Sequence, residues 1–273
     1  MPLLHVLILA FVQGITEFLP ISSSGHLVVT WELFDQAGWQ VPERTQSARL
    51  TLNIAVHVGT LLAVCLYFWR DMIQMILGGL KLFTGQMTAG AWLAFYIVAG
   101  SIPLILVGFF FKDTVTAYLQ NVQIVAWATI GFAVVLFAAD RLGMTVRRIE
   151  HMKIGGALFI GLAQVLALIP GTSRTGITMT AARFLGYERP EAARFSMLLG
   201  IPAILGAGTL AGLDLRAIDD ARIGVDAVIA GGIAFVVALG TIALMIRWLR
   251  RASFTPFVIY RILFGVAILV WVA

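Results

Sequence analysis

Apolar positions along this chain come in long runs, not in the alternation of half-buried strands or the narrow stripe of surface helices. Six runs, at about 50–69, 92–111, 122–139, 194–213, 226–246 and 256–273, match the roughly 20 residues that a membrane-spanning helix needs. Two further apolar segments, 3–34 and 154–185, are each broken near the middle by proline and a hydroxyl-rich turn. The first break reads Glu17-Phe-Leu-Pro20-Ile-Ser22-Ser23-Ser24-Gly25-His26, and the second Pro170-Gly171-Thr172-Ser173-Arg174-Thr175-Gly176-Ile-Thr178. A helix running straight through Pro20 or Pro170 would lose a backbone hydrogen bond and crowd its preceding turn. A serine or threonine just after the proline can cap a second helix. The pattern predicts an all-α integral membrane protein with six transmembrane helices and two re-entrant helical hairpins.

Composition agrees. Of 273 residues, 60% are hydrophobic and 12% charged, whereas soluble domains carry about 25% charged residues. The N-terminus has no basic stretch ahead of its apolar residues, and Gln13 and Glu17 interrupt the run, so a cleaved signal peptide is not expected. The single cysteine, Cys65, excludes an intrachain disulfide and a thiolate metal cluster. The net charge of +5 is distributed as topology, not as a nucleic-acid surface. With an external N-terminus and hairpins that return to their own side, twelve Lys and Arg residues, in the groups 70–81, 141–153, 183–194 and 247–251, face the cytoplasm. Arg44, Arg49, Lys112, Arg216 and Arg222 are then external, the last two beside Asp214, Asp219, Asp220 and Asp226. Each hairpin is followed by three spans. This predicts a single membrane domain, 1–273, built as an inverted-topology repeat with halves at about 1–139 and 140–273 and with the breaks meeting near the midplane. Matching Pro20 to Pro170 pairs Ser22 with Thr172 and Ser23 with Ser173.

Polar side chains and non-helical backbone inside a membrane are costly unless they line a protected cavity, so the two breaks predict one site. Gln13 and Glu17 are four apart and share a helix face. Glu17 is a candidate acid/base group or metal ligand. Ser22, Ser23 and Ser24 precede a helix expected to start near Gly25, whose free N–H groups suit a phosphate. One serine serves as cap, and another is a candidate nucleophile if a base accepts its proton. His26 is a candidate general base, general acid or direct phosphorus nucleophile. Arg174 matches phosphate oxygens with a permanently charged fork, and Ser173 and Thr178 are further donors. Arg261, in the last span, is a second candidate cation and His57 a second lining group, while His5 and His151 read as interfacial. Close packing of helices is the expected use of Gly231 and Gly232. No nucleotide-binding loop or His-Glu-x-x-His pattern is present.

Over essentially its whole length the chain resembles the undecaprenyl-pyrophosphate phosphatase family of the bacitracin-resistance type. Three stretches carry the likeness: Glu17 to His26, Pro170 to Thr178, and Ser253-Phe-Thr-Pro-Phe-Val-Ile-Tyr-Arg261. The resemblance implies a bacterial inner-membrane enzyme that removes the terminal phosphate of the C55 isoprenoid diphosphate, recycling the lipid carrier for cell-wall synthesis, with its site facing the periplasm. It puts Glu17, Ser23, His26 and Arg174 at catalytic positions. It also implies a divalent cation, Mg2+ or Ca2+, held by Glu17 with Gln13. Many members have two acids where this chain has Gln13 and Glu17, and a glutamine ligates only through its carbonyl. Ser23 is the preferred nucleophile, activated by His26, with Glu17 orienting His26 or holding the metal. Attack by His26 or by water is the alternative. The partners are the polyprenyl diphosphate and the bilayer, with no nucleic acid. The rival function is an inverted-repeat transporter or flippase for a phosphorylated lipid, since anionic substrates also bind at broken helices.

Overall fold

The computed structural model describes residues 3–38, 45–82, 84–118, 121–214 and 221–272. It contains α1 (Leu3–Thr16), α2 (Ser23–Gln36), α3 (Thr45–Tyr67), α4 (Trp69–Leu82), α5 (Ala89–Tyr118), α6 (Val122–Leu142), α7 (Ile154–Val165), α8 (Arg174–Phe184), α9 (Arg189–Asp214), α10 (Ala221–Leu249) and α11 (Thr255–Val272). Stretches of α3, α5, α6, α9, α10 and α11 are long and apolar enough to cross a membrane, at 49–67, 89–111, 122–142, 189–209, 224–249 and 255–272. The six expected spans are thus present, within a few residues at each end. Pro103 and Pro202 lie inside continuous helices, whereas the chain leaves the helix around Pro20 and Pro170, where glycine and hydroxyl groups offer the backbone other partners.

One element was not expected. Arg70 and Lys81, expected to face the cytoplasm, belong to the amphipathic helix α4, which is tied to α9 by an ion pair between Asp71 and Arg194. Arg44, Arg216, Asp219 and Asp220 lie outside the described residues. For Lys112, Asp214 and Arg222 only the backbone is described.

The packing inverts the soluble pattern. Phe109, Phe110, Trp127, Val228, Leu244 and Val270 point outward, as the surface of a lipid-embedded bundle does. The polar helix α8 is central, with every residue from Thr175 to Arg183 buried. Small residues allow the close crossings: a side chain at Gly59 of α3 would strike the Gly231 carbonyl of α10, and one at Gly161 of α7 the Gly100 carbonyl of α5. Gly231 is therefore used as expected, while Gly232 faces open space.

Each broken segment folds back on itself. His5 near the start of α1 stacks on Phe34 near the end of α2, centroids 4.4 Å apart, and is buried there. Ahead of α7, the Arg147 N–H donates to the Gly186 carbonyl just after α8. One end of the bundle is then locked by Asp140, which accepts from Arg183 (3.1 Å), Arg189 (2.7 Å) and the Phe254 N–H (3.2 Å). Arg183, fully buried, spends its other donors on the carbonyls of Met144, Asp140, Gly143 and Tyr187. A buried charge with every donor satisfied specifies how the ends of α6, α8, α9 and α11 meet.

Candidate active site

The two turns use one backbone device. Ser22 and Ser173 cap α2 and α8, with φ of 73° and 70°, and their hydroxyls accept from the N–H groups of Gly25 (3.3 Å) and Gly176 (3.1 Å). Among the described residues they are the only non-glycine positions with positive φ. Such strain persists where the surroundings over-determine it and marks functional sites. The caps also correct the register read from the prolines. Ser22 corresponds to Ser173, and Ser23 to Arg174. Gly171, with φ of 94°, adds one residue after the second proline.

Arg261 joins the turns. Fully buried, it donates to the carbonyls of Pro20 (3.3 Å), Gly171 (3.0 Å), Thr172 (2.9 Å) and Thr129 (3.1 Å). It was expected as a substrate cation. Its donors go to backbone oxygens, three of them in the breaks and the fourth, that of Thr129, within α6.

Held this way, the breaks present their polar groups to one carboxylate. Glu17 Oε2 accepts from Gln13 Nε2 (2.7 Å) and from Ser23 Oγ (2.7 Å), and Glu17 Oε1 accepts from Arg174 Nη2 (2.9 Å). His57 Nε2 stands 3.9 Å from Glu17 Oε2, while its Nδ1 meets the Asn53 carbonyl at 2.6 Å. Arg174 lies in a notch opened by Gly200 of α9. A Cβ there would come within 1.8 Å of Arg174 Nη1, which is buried without a hydrogen-bond partner.

Not every sequence candidate joins this cluster. His26 does not pair with Ser23 or Glu17: its Nδ1 meets the Ser22 carbonyl (2.7 Å) and its Nε2 the Tyr260 hydroxyl (2.6 Å). The α2 helix turns the ring toward α11, whereas Ser23, at the first helical position, turns back toward α1. Thr178 bonds Ser196 Oγ (2.5 Å) and the Arg174 carbonyl (2.8 Å), so it fastens α8 to α9. Ser173 is occupied as a cap, and Ser24 is exposed. Gly200, Asn53 and Tyr260 were not singled out. A glycine notch and two single polar residues in apolar spans carry no local signal.

Among the described residues no three His, Cys, Asp or Glu side chains group as a metal cage. Two oxygen donors are present, the Glu17 carboxylate and Gln13 Oε1, which is buried and unpartnered, with His57 Nε2 3.9 Å from Glu17 Oε2. Hard divalent cations take such ligands.

Fold and cluster define a multi-pass helical membrane protein whose acid, hydroxyl and guanidinium groups converge inside the bundle. The chain belongs to the family described as Bacitracin resistance protein BacA, which matches residues 6–267. It is similar to undecaprenyl-diphosphatase 1 of Rhodospirillum rubrum, at 49% identity over 273 residues covering 98% of this chain and 95% of that protein. It is also similar to the undecaprenyl-diphosphatase of Jannaschia sp., at 45% over 272 residues covering 99% and 98%.

Proposed function

We propose that the protein hydrolyses undecaprenyl diphosphate to undecaprenyl phosphate and inorganic phosphate. The observation that carries this reading is the Glu17 carboxylate, which receives a hydroxyl from its own break and a guanidinium from the other. A phosphoryl group needs an activated nucleophile on one side and fixed positive charge on its oxygens. The names of the relatives favour hydrolysis over transport, which needs no nucleophile.

In this mechanism the terminal phosphate enters between Arg174 and the N-terminus of α2. Arg174 turns its fork from Glu17 to the phosphate oxygens, and Nη1 already has no protein partner to give up. Ser23 Oγ attacks the terminal phosphorus as its proton passes to Glu17 Oε2. The bond from phosphorus to the bridging oxygen breaks, and the polyprenyl phosphate leaves. Water then attacks the phosphoserine: Glu17 returns its proton to Ser23 Oγ as the bond to phosphorus breaks, takes the water proton in its place, and gives that proton up with the departing inorganic phosphate to become a carboxylate again. The occupied nitrogens of His26 support Ser23 over attack by the imidazole. Gln13 Oε1 and Glu17 would hold a Mg2+ or Ca2+ ion together with the substrate phosphates, and the ion would supply charge neutralisation there.

The same reading includes re-entrant hairpins at 3–34 and 154–185 and inverted halves at 1–139 and 140–273. The fold-back contacts of both segments, their matched caps and the pairing of α3 with α9 and of α6 with α11 support it. Tyr67, Arg148, Glu188 and Arg250 line one cavity, so the basic groups near residues 70, 148, 189 and 250 share one end of the bundle. That end reads as cytoplasmic, with the site open to the periplasm of the bacterial inner membrane.

The test is phosphate release from undecaprenyl diphosphate labelled with 32P at the terminal phosphorus, by purified protein in detergent micelles. The expected result is released label together with a Ser23-dependent phosphoprotein on rapid quenching. Label trapped on histidine would defeat the serine route. No release with Mg2+ or Ca2+ present would defeat the enzyme reading.

A further inference from the structure

His26 has no nitrogen left for the cluster that its sequence position led us to expect. Its Nδ1 lies 2.7 Å from the Ser22 carbonyl, which only accepts, so Nδ1 carries a proton. Its Nε2 lies 2.6 Å from the Tyr260 hydroxyl. In the neutral ring Nε2 accepts from Tyr260, and in the charged ring it donates to it. In both states Tyr260 is the protein group at the outer nitrogen.

The ring is also held in place. It stacks on Phe264 with centroids 4.1 Å apart and planes 5° from parallel, and it lies within 8° of parallel to Tyr260 at 5.6 Å. Tyr260 and Phe264 are four apart and form one rack on α11. Arg261, next in sequence, is the residue that grips the backbone of both breaks. The rack is therefore fixed to the turn that carries Ser22 and Ser23. Tyr260 is 43% exposed and Arg261 fully buried, so these neighbours face opposite ways, one toward the surface and one toward the junction.

We propose that Tyr260 is a positioning residue of the phosphate-cleaving site, acting through His26. Its hydroxyl fixes the imidazole with the Nδ1 proton on Ser22 and is the route by which Nε2 exchanges its proton. The inference rests on the diphosphatase reading for its kinetic consequence and on geometry alone for the pair itself. By tethering His26 to the capping residue, Tyr260 makes the α2 N-terminus, and with it Ser23, answer to α11.

Two measurements on the full-length protein in detergent test it. The first is phosphate release from undecaprenyl diphosphate by wild type, Tyr260→Phe, His26→Ala and the double variant. Tyr260→Phe keeps the ring and loses the hydroxyl. It lowers kcat about tenfold, the rate equivalent of one hydrogen bond, with KM within about twofold. In the His26→Ala background the same change has no further effect, because the residue through which it acts is gone. Independent losses that multiply, or a Tyr260→Phe rate equal to wild type, overturn the proposal. The second measurement is 15N NMR of histidine-labelled protein, with the four histidines distinguished by the His26→Ala spectrum. Tyr260→Phe should move the His26 Nε2 signal and leave Nδ1 protonated. An unmoved Nε2 signal overturns the pair. Absence of phosphate release by the wild type would defeat the diphosphatase reading, while the NMR result still decides whether Tyr260 holds His26.

Discussion

The turn between α1 and α2 and the turn before α8 are built alike and filled differently. Counted from the capping serine, Gln13 and Gln164 stand at the same distance upstream, both fully buried and both with an unpartnered Oε1. Pro20 and Gly171 stand two residues upstream, and each gives its carbonyl to Arg261. At the next two matched positions the turns part. Glu17 faces the position of Leu168, and Ser23 that of Arg174. One turn thus supplies acid and hydroxyl, the other only the cation. Duplicated backbone geometry makes a pair of strained, N–H-rich helix starts, and divergent side chains turn that pair into a site with two sides.

The sharpest way to break the comparison is to remove the group found on one side only. Glu17→Gln keeps the shape and one acceptor oxygen for Arg174, but turns an amide N–H2 toward Ser23 and removes both the base and the negative charge. It should lower kcat by about 1,000-fold, in protein whose helical content by far-UV circular dichroism still matches wild type. Activity near wild type would show that the asymmetry at this position is not catalytic.

A smaller effect is expected on the cation side, through a residue that touches no substrate. Gly200→Ala places a methyl group where the Arg174 guanidinium lies. It should cost about 100-fold in kcat/KM, the scale of losing one charge-stabilising donor. The same change favours the α9 helix by up to about 1 kcal/mol. Lower activity with equal or higher thermal stability therefore separates displacement of Arg174 from misfolding, and unchanged activity would show that the notch does not seat it.

The smallest effect probes what the two turns share. Ser22→Ala and Ser173→Ala each remove a cap hydroxyl and keep the strained φ, and each should cost about 1 kcal/mol of stability in thermal unfolding. Ser22→Gly and Ser173→Gly relieve the φ and should cost only a few tenths, about 0.3 kcal/mol. Costs that differ widely between the two turns would refute their equivalence.

Much of this was legible in the chain. Spans are set by run length, because each must cross a fixed apolar thickness with every backbone group bonded internally. The breaks were legible because proline coincides there with serine, threonine and glycine; at Pro103 and Pro202, without a comparable hydroxyl-rich turn, the helix runs on. The meeting of Glu17, Ser23 and Arg174 was anticipated from the cost of polar groups in apolar surroundings. The partner of His26 was not, since Tyr260 lies 234 positions away and sits in its span as one aromatic among many. Nor was the use of Arg261, because a guanidinium looks the same in sequence whether it meets a phosphate or four carbonyls. The cap register was missed because Gly171 shifts the second turn by one residue, and only backbone angles reveal that.

The sequence by itself determined that the chain crosses a membrane, where it stops being helical, and which side chains are too polar to lie there without a purpose. Hydropathy and backbone bonding are local quantities, which residue type and spacing suffice to express. Only the tertiary structure decided which of those side chains meet the carboxylate and which hold the scaffold. Hydrogen bonds form between whatever groups packing brings within about 3 Å, and packing is a property of all the described helices at once.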